Sequence, residues 1–152
     1  MIELINSSDL VLKKFFITNT TLLSIFPEQK QRVRLSNLKL DCDFDIFTTV
    51  KEEGNLNFMV NFNVKCNEEE KPGYYIDIGA VGEFVLKSSD NINEKVEQQY
   101  ILYTALPMII NSVRTYLQNI TSMHTFGAYL LPILDLGKLF QEKFNENEMI
   151  EV

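Results

Sequence analysis

Leu56-Asn57-Phe58-Met59-Val60-Asn61-Phe62-Asn63-Val64-Lys65-Cys66 decides the fold. Its even positions are all apolar, and its odd positions are polar apart from Met59, which is the period-two signature of a strand with one buried face. Upstream, Leu38-Leu40-Cys42-Phe44-Ile46 alternates with Lys39-Asp41-Asp43-Asp45, a second strand with one apolar and one largely acidic face. Lys51 to Asn55, with Glu-Glu-Gly-Asn, reads as the turn between them. Downstream, Asn67 to Gly73 is a charged loop closing on Pro-Gly. Tyr74 to Leu86 then resumes strand character, with Gly79 and Gly82 marking bulge, twist or close backbone approach. A further strand is expected over Leu10 to Thr18, where the period is less clean. Short turns between consecutive strands imply antiparallel pairing, because a parallel crossover needs a dozen residues or more.

After Ser88 the texture changes. Asp90 or Asn91 is placed to cap a helix beginning near Asn93, whose stripe is Val96, Tyr100, Tyr103 and Leu106. Pro107 should kink or restart it. From Met108 to Met123 a second stripe runs through Ile110, Val113, Leu117, Ile120 and Met123. Phe126 to Leu134 is an apolar loop, and a last helix is expected from Asp135 to Asn145 with Leu136, Leu139, Phe140 and Phe144. Strands first and helices second predict an α+β fold, with an antiparallel sheet and helices on one face. With no repeat and no linker, residues 1–152 read as one domain, and 146–152 as an acidic tail that frays.

A chain of 152 residues that is 45% hydrophobic and rich in Phe and Tyr can bury a real core. A net charge of -7 repels nucleic acid, so no nucleic-acid partner is expected. No stretch approaches the roughly 18 apolar residues of a membrane span, and Met1 to Leu10 lacks the pattern of a secretory signal. A cytoplasmic protein without membrane insertion is expected.

The catalytic inventory is poor. No phosphate-binding loop, nucleophile elbow or histidine–carboxylate pair stands at motif spacing. The one histidine, His124, reads as a helix-terminal residue meeting the last carbonyls. Cys42 and Cys66 are too few and too far apart for a thiolate metal site, and read as reduced, buried, small apolar residues. Asp41-Cys42-Asp43-Phe44-Asp45 fails as a calcium loop because Ile46 follows where a turn glycine is needed. It reads as a solvated strand face or a docking face for a basic partner. No metal and no cofactor are expected, and a binding protein is favoured over an enzyme.

The second half resembles SecB, the bacterial export chaperone family. Arg114 on the long helix, Ile120-Thr121-Ser122-Met123-His124-Thr125-Phe126, Leu130-Leu131-Pro132-Ile133 and Asp135-Leu136-Gly137-Lys138-Leu139-Phe140 follow at the family's spacing. Upstream, Tyr75-Ile76-Asp77-Ile78-Gly79-Ala80-Val81-Gly82-Glu83-Phe84 resembles the family strand that ends in Gly-x-Phe. The chain departs from the family at Asn111, which stands at the proline before the arginine, and at Asp135-Leu136-Gly137, which replaces Asn-Phe-Asp. It also lacks the tryptophan of the crossover segment, here Leu22 to Gln31. The resemblance is therefore to a divergent member.

The resemblance implies a four-stranded antiparallel sheet with two main C-terminal helices, assembled as a homodimer or homotetramer. It implies ATP-independent holding of unfolded polypeptides, through many weak apolar contacts and main-chain hydrogen bonds, with possible transfer to the SecA motor. Carried over by position, Leu22, Leu23, Ile25 and Phe26 would line one wall of a client groove. Phe126, Leu130, Leu136 and Phe140 would line the other. Asp77 stands at the family's motor-contacting strand position, and Glu83 shares its strand parity. Two competing readings are an adaptor of the same fold dedicated to one client, as in toxin–antitoxin systems, and a small-molecule-binding α+β domain.

Overall fold

The computed structural model describes residues 9–48, 53–87 and 93–150, the side chains of 145–150 excepted. The expected caps Asp90 and Asn91, the start of the turn at Lys51, the N-terminal stretch before Asp9 and the side chains of the acidic tail lie outside the described residues. In chain order come β1 (Leu10–Ile25), a 3-10 turn (Leu35–Asn37), β2 (Leu40–Thr48), β3 (Leu56–Cys66) and β4 (Gly73–Leu86). There follow α1 (Glu94–Tyr100), a π-helical turn (Ile101–Ala105), α2 (Leu106–Thr121) and α3 (Leu136–Ile150).

The strands form one sheet in the order β1-β4-β3-β2. The Lys87 N–H donates to the Asp9 carbonyl at 2.8 Å, which sets the start of β1 against the end of β4. The Asn67 N–H donates to the Lys39 carbonyl at 2.8 Å, which sets the start of β2 against the end of β3. Both pairings are antiparallel, which the short connection requires for the consecutive β2 and β3. The described residues group into two compact units, drawn from 1–19, 44–62 and 79–113, and from 20–43, 63–78 and 114–152. Each takes part of every strand.

In the first unit the alternation of β3 buries Leu56, Phe58, Val60 and Phe62, with Phe84 and Leu86 of β4 beside them. The Phe58 and Phe84 rings stack with centroids 5.2 Å apart. Gly82 is the close approach the sequence suggests, because a methyl group there would collide with the Ile109 side chain and the Phe84 ring. The cap of α1 is Asn93, whose Oδ1 accepts the Val96 N–H at 3.0 Å. Pro107 brings no N–H and would crowd the carbonyl four residues back in an α register, and the helix passes into π geometry just ahead of it. That turn places Ile101 and Ala105 inside and leaves Tyr103 64% exposed, so the expected inward stripe through Tyr103 is corrected.

In the second unit Val64, Cys66, Tyr74, Ile76, Ile78, Leu117 and Phe140 are buried. β1 runs on to Ile25, well past the expected end at Thr18. Leu22, Leu23 and Ile25 therefore belong to an edge strand and not to a crossover loop. The β3–β4 turn is organised by Asn67, which is buried and holds φ +66°, a left-handed conformation that asparagine tolerates. Its Nδ2 donates to the carbonyls of Lys71 and Tyr74 at 2.7 and 3.1 Å, and its Oδ1 accepts the Lys71 N–H at 2.9 Å. The second stripe holds through Leu117, but Met123 falls beyond the end of α2 and is 94% exposed. Asp135 caps α3, its Oδ1 accepting the Lys138 N–H at 3.1 Å. The helix continues to Ile150 rather than ending at Asn145. Lys143 reaches Asp43 of β2 at 3.4 Å.

Candidate functional site

The apolar segment between α2 and α3 has no regular structure, yet its backbone is fixed at several points by side chains of the same unit. The Tyr74 hydroxyl accepts the Phe126 N–H at 2.9 Å and donates to the Gly127 carbonyl at 2.8 Å. Thr121, fully buried at the end of α2, donates its hydroxyl to the Leu117 carbonyl at 2.6 Å and accepts the Tyr129 N–H at 2.7 Å. Arg114 donates from Nε to the Leu131 carbonyl and from Nη2 to the Pro132 carbonyl, both at 3.1 Å. Gly127 turns the chain with φ +78°, a conformation that glycine adopts without strain. Buried backbone groups that would otherwise be orphaned are thus satisfied, and an irregular segment keeps one conformation.

Held this way, the segment buries Tyr129 and Leu131 and turns other apolar side chains outward. Leu130 is 62% exposed and Ile133 95% exposed. Phe26, just past β1, packs its ring against Phe126 at 5.9 Å and is itself 65% exposed. Phe126 in turn meets the edge of Tyr74 at 5.5 Å, and the His124 imidazole stands edge-on to Tyr74 at 6.4 Å. His124 therefore joins an aromatic cluster. Its backbone N–H donates to Thr121 and its carbonyl accepts from Gly127. Beside Phe26 an open cleft of about 450 Å³ is bordered by Ile25, Glu28, Glu70 and Pro72.

Of the eight side chains assigned to a groove by position, Phe26 and Phe126 are in direct contact. Leu22, Ile25 and Leu136 are half-buried, Leu23 is exposed, and Leu130 faces out. Phe140 is 6% exposed and belongs to the core of its unit, so it offers no open wall. Its helix borders a different cleft of about 320 Å³, lined by Leu40, Cys42, Leu134 and Leu139 with Asp41 and Glu142 at its rim. Asp77 and Glu83 are both half-buried on β4, at odd positions opposite in parity to the buried Ile76, Ile78 and Phe84.

Cys66 is buried, and its thiol donates to the Tyr129 hydroxyl at 3.7 Å. Cys42 is half-buried rather than buried. Burial, reinforced by Asp41, pushes its thiol up to about 12, and burial also raises Cys66. Both therefore favour the protonated thiol at neutral pH, which makes neither a ready nucleophile. Burial likewise raises the Tyr129 and Tyr74 hydroxyls, which keeps both as neutral hydrogen-bonding groups. Among the described residues no group of three or more His, Cys, Asp or Glu is placed to hold a metal ion, and no helix is long and apolar enough to cross a membrane. Sequence reasoning singled out the apolar loop but missed the anchoring roles of Tyr74, Thr121 and Arg114. The paired spacing of Arg114 and Thr121 within the family-like motif was the one available signal.

No protein-family model matches the chain, and no curated protein matches it by sequence. Solved structures do match. A SecB-like chaperone of Mycobacterium tuberculosis, solved in complex with a ChAD peptide from the HigA1 antitoxin, superposes with a TM-score of 0.53 at 13% identity. That match covers 83% of this chain and 91% of the other. A protein of unknown function from Streptococcus agalactiae gives a TM-score of 0.58 at 9% identity, covering 82% of this chain and 97% of the other. The strand order, the antiparallel pairing and the helices that follow agree with that likeness, and the chain has a SecB-like α+β fold.

Proposed function

We propose that this chain is an ATP-independent holdase that binds extended or unfolded polypeptide on the apolar surface around Phe26, Phe126 and Leu130. The observation that carries the reading is the segment 126–133, which is pinned from within by three side chains while it presents Leu130 and Ile133 to solvent. Exposed apolar groups on a mobile loop would collapse inward, whereas here the hydrogen bonds oppose that collapse. Each such side chain covered by a client contributes about 1.5–3 kcal/mol before ordering costs. Several together reach useful affinity without sequence specificity. The neighbouring clefts are open to solvent, which suits a chain-like ligand better than an enclosed small molecule.

The test is suppression of aggregation of an unfolded model client. Phe26→Asp is expected to reduce that suppression several-fold while its melting temperature changes little, because the ring is largely exposed. Full holding activity in a well-folded variant would move the client site away from Phe26. The antitoxin peptide in the mycobacterial structure favours a second reading, an adaptor dedicated to one client. A pull-down from native cytosol separates them, since a general holdase returns many proteins and an adaptor returns one.

Assembly and docking complete the reading. β1 and β2 are the edges of the sheet, and β1 is 16 residues long, so self-association through an edge strand gives a homodimer or homotetramer. Sedimentation at tens of micromolar is expected to show the oligomer, and a stable monomer would remove this part. Asp77 and Glu83 would form an acidic docking face for a basic site on a partner such as the SecA motor in the cytoplasm. Asp77→Lys with Glu83→Lys is expected to slow that association, with the wild-type advantage fading as salt rises. Unchanged binding would leave the face merely solvated.

A further inference from the structure

An open cleft of about 710 Å³ is formed wholly within the first unit and shares no residue with the apolar segment. Its floor is Val11 of β1 and Val85 of β4, with Asn57 of β3 beside them. Asn57 and Val85 have the opposite parity to the buried Leu56, Phe58, Phe84 and Leu86, so the cleft lies on the sheet face turned away from that core. Lys13 of β1 and Lys87, just past β4, line it as well. The Lys87 N–H bond to the Asp9 carbonyl fixes the point from which that side chain starts. Glu53 lines the cleft from the turn before β3, at φ +53° and followed by Gly54 at φ +79°. Two successive left-handed residues mark a tight hairpin turn, whose first position usually holds asparagine, aspartate or glycine. The turn therefore does not account for a glutamate.

Among the described residues, neither lysine ammonium nor the Glu53 carboxylate takes part in an ion pair or a side-chain hydrogen bond. Glu83 shares this face of β4 and, among the described residues, pairs with neither lysine. In a chain with 21 acidic side chains against 14 basic ones, two cations together without a protein counter-charge call for a ligand. We propose that this cleft binds a small organic carboxylate with a short apolar body. The two ammonium groups receive the carboxylate, and the valines receive the apolar body, Val11 being 37% exposed. Two cations against one carboxylate leave a single positive charge in excess, which a monoanion neutralises. A dianion or an acidic polypeptide would bring further negative charge against Glu53 and Glu83, so Glu53 sets the preference for one charge. The inference does not depend on the holdase reading, since it concerns other residues and another ligand.

The experiment titrates the full chain with hexanol, hexanoate and adipate, which share a six-carbon length and carry no charge, one charge and two. Backbone amide shifts in NMR spectra report where each probe binds. Hexanoate is expected to shift the amides of Val11, Asn57, Val85 and Lys87 saturably at millimolar concentration, because the cleft is open to solvent. Hexanol and adipate should each bind there at least about fivefold more weakly. Lys13→Gln and Lys87→Gln, both at exposed positions, should each weaken hexanoate at least about threefold while their melting curves stay unchanged. Glu53→Gln should keep hexanoate binding and narrow the gap to adipate. Added salt should bring hexanoate down towards hexanol. Absence of a saturable shift at those amides, or equal binding of hexanoate and hexanol, would overturn the site. So would wild-type hexanoate affinity in both lysine variants. Adipate binding as tightly as hexanoate, or a gap unchanged in Glu53→Gln, would overturn the preference assigned to Glu53.

Discussion

Phe140→Ala is expected to destabilise the protein by about 3–5 kcal/mol, the range for emptying a large aromatic site in a close-packed core. The ring is 6% exposed, so little of its loss can be recovered by solvent. Phe26→Ala is the matched control. Its ring is 65% exposed and gives up one aromatic contact, so a loss of no more than about 1 kcal/mol is expected. Denaturant unfolding of both variants, with the slope checked for constancy, measures the difference directly. If the two cost the same, the division between a core ring on α3 and an accessible ring beside the apolar segment is wrong. The comparison also guards the functional test, because a variant at Phe140 would lose holding activity simply by unfolding.

Asn67→Ala is the second large effect, at about 2.5–5.5 kcal/mol. Alanine forfeits three side-chain hydrogen bonds, to Lys71 in both directions and to the Tyr74 carbonyl, each contributing about 0.5–1.5 kcal/mol. It must also adopt φ +66°, which costs an alanine roughly 1 kcal/mol. Asn67→Gly isolates the two contributions, since glycine accepts the backbone conformation and lacks only the hydrogen bonds. Glycine should therefore be less damaging than alanine, and thermal or denaturant unfolding of the pair reads the order. The reverse order would mean that the positive φ is not retained in solution. Because Tyr74 follows this turn and its hydroxyl holds Phe126 and Gly127, the damage should also loosen the apolar segment.

The sheet was legible where one face of a strand is buried and the other is wet. β3 matches the expected Leu56 to Cys66 at both ends, and β4 differs by one residue, because alternation there is imposed by burial along the whole strand. β1 was cut short at Thr18 because an edge strand carries a weaker demand. Its continuation through Asn19, Thr20 and Thr21 is exposed, so no apolar period announces it. The inward stripe through Tyr103 failed because a helical wheel assumes uniform winding. The apolar loop was visible as composition, and so were Phe26 and Phe126 as candidates. What holds the loop was hidden, since Tyr74 and Gly127 are 53 positions apart and the bonds run from side chain to main chain. Such contacts leave no periodic trace.

The π turn at Ile101–Ala105 has an evolutionary consequence. Each α-helical residue advances the winding by about 100°, so one extra residue in an evenly wound helix would rotate everything on one side of it relative to the other, unless a wide turn absorbs it. The wide turn takes up that residue with Ile101 and Ala105 buried, and the start of α2 buries Leu106, Ile109 and Ile110. A deletion of one residue within 101–105 would restore even winding and leave the faces on either side in register, whereas winding 101–105 as plain α-helix with the residue retained would turn α1 by about 100°. Homologues without the wide turn should therefore align with a single-residue gap in this stretch, with the order of apolar and polar residues before it unchanged. Sequence searches that penalise such gaps would lose the register of the helix at the point where the rest of the chain is already strongly diverged.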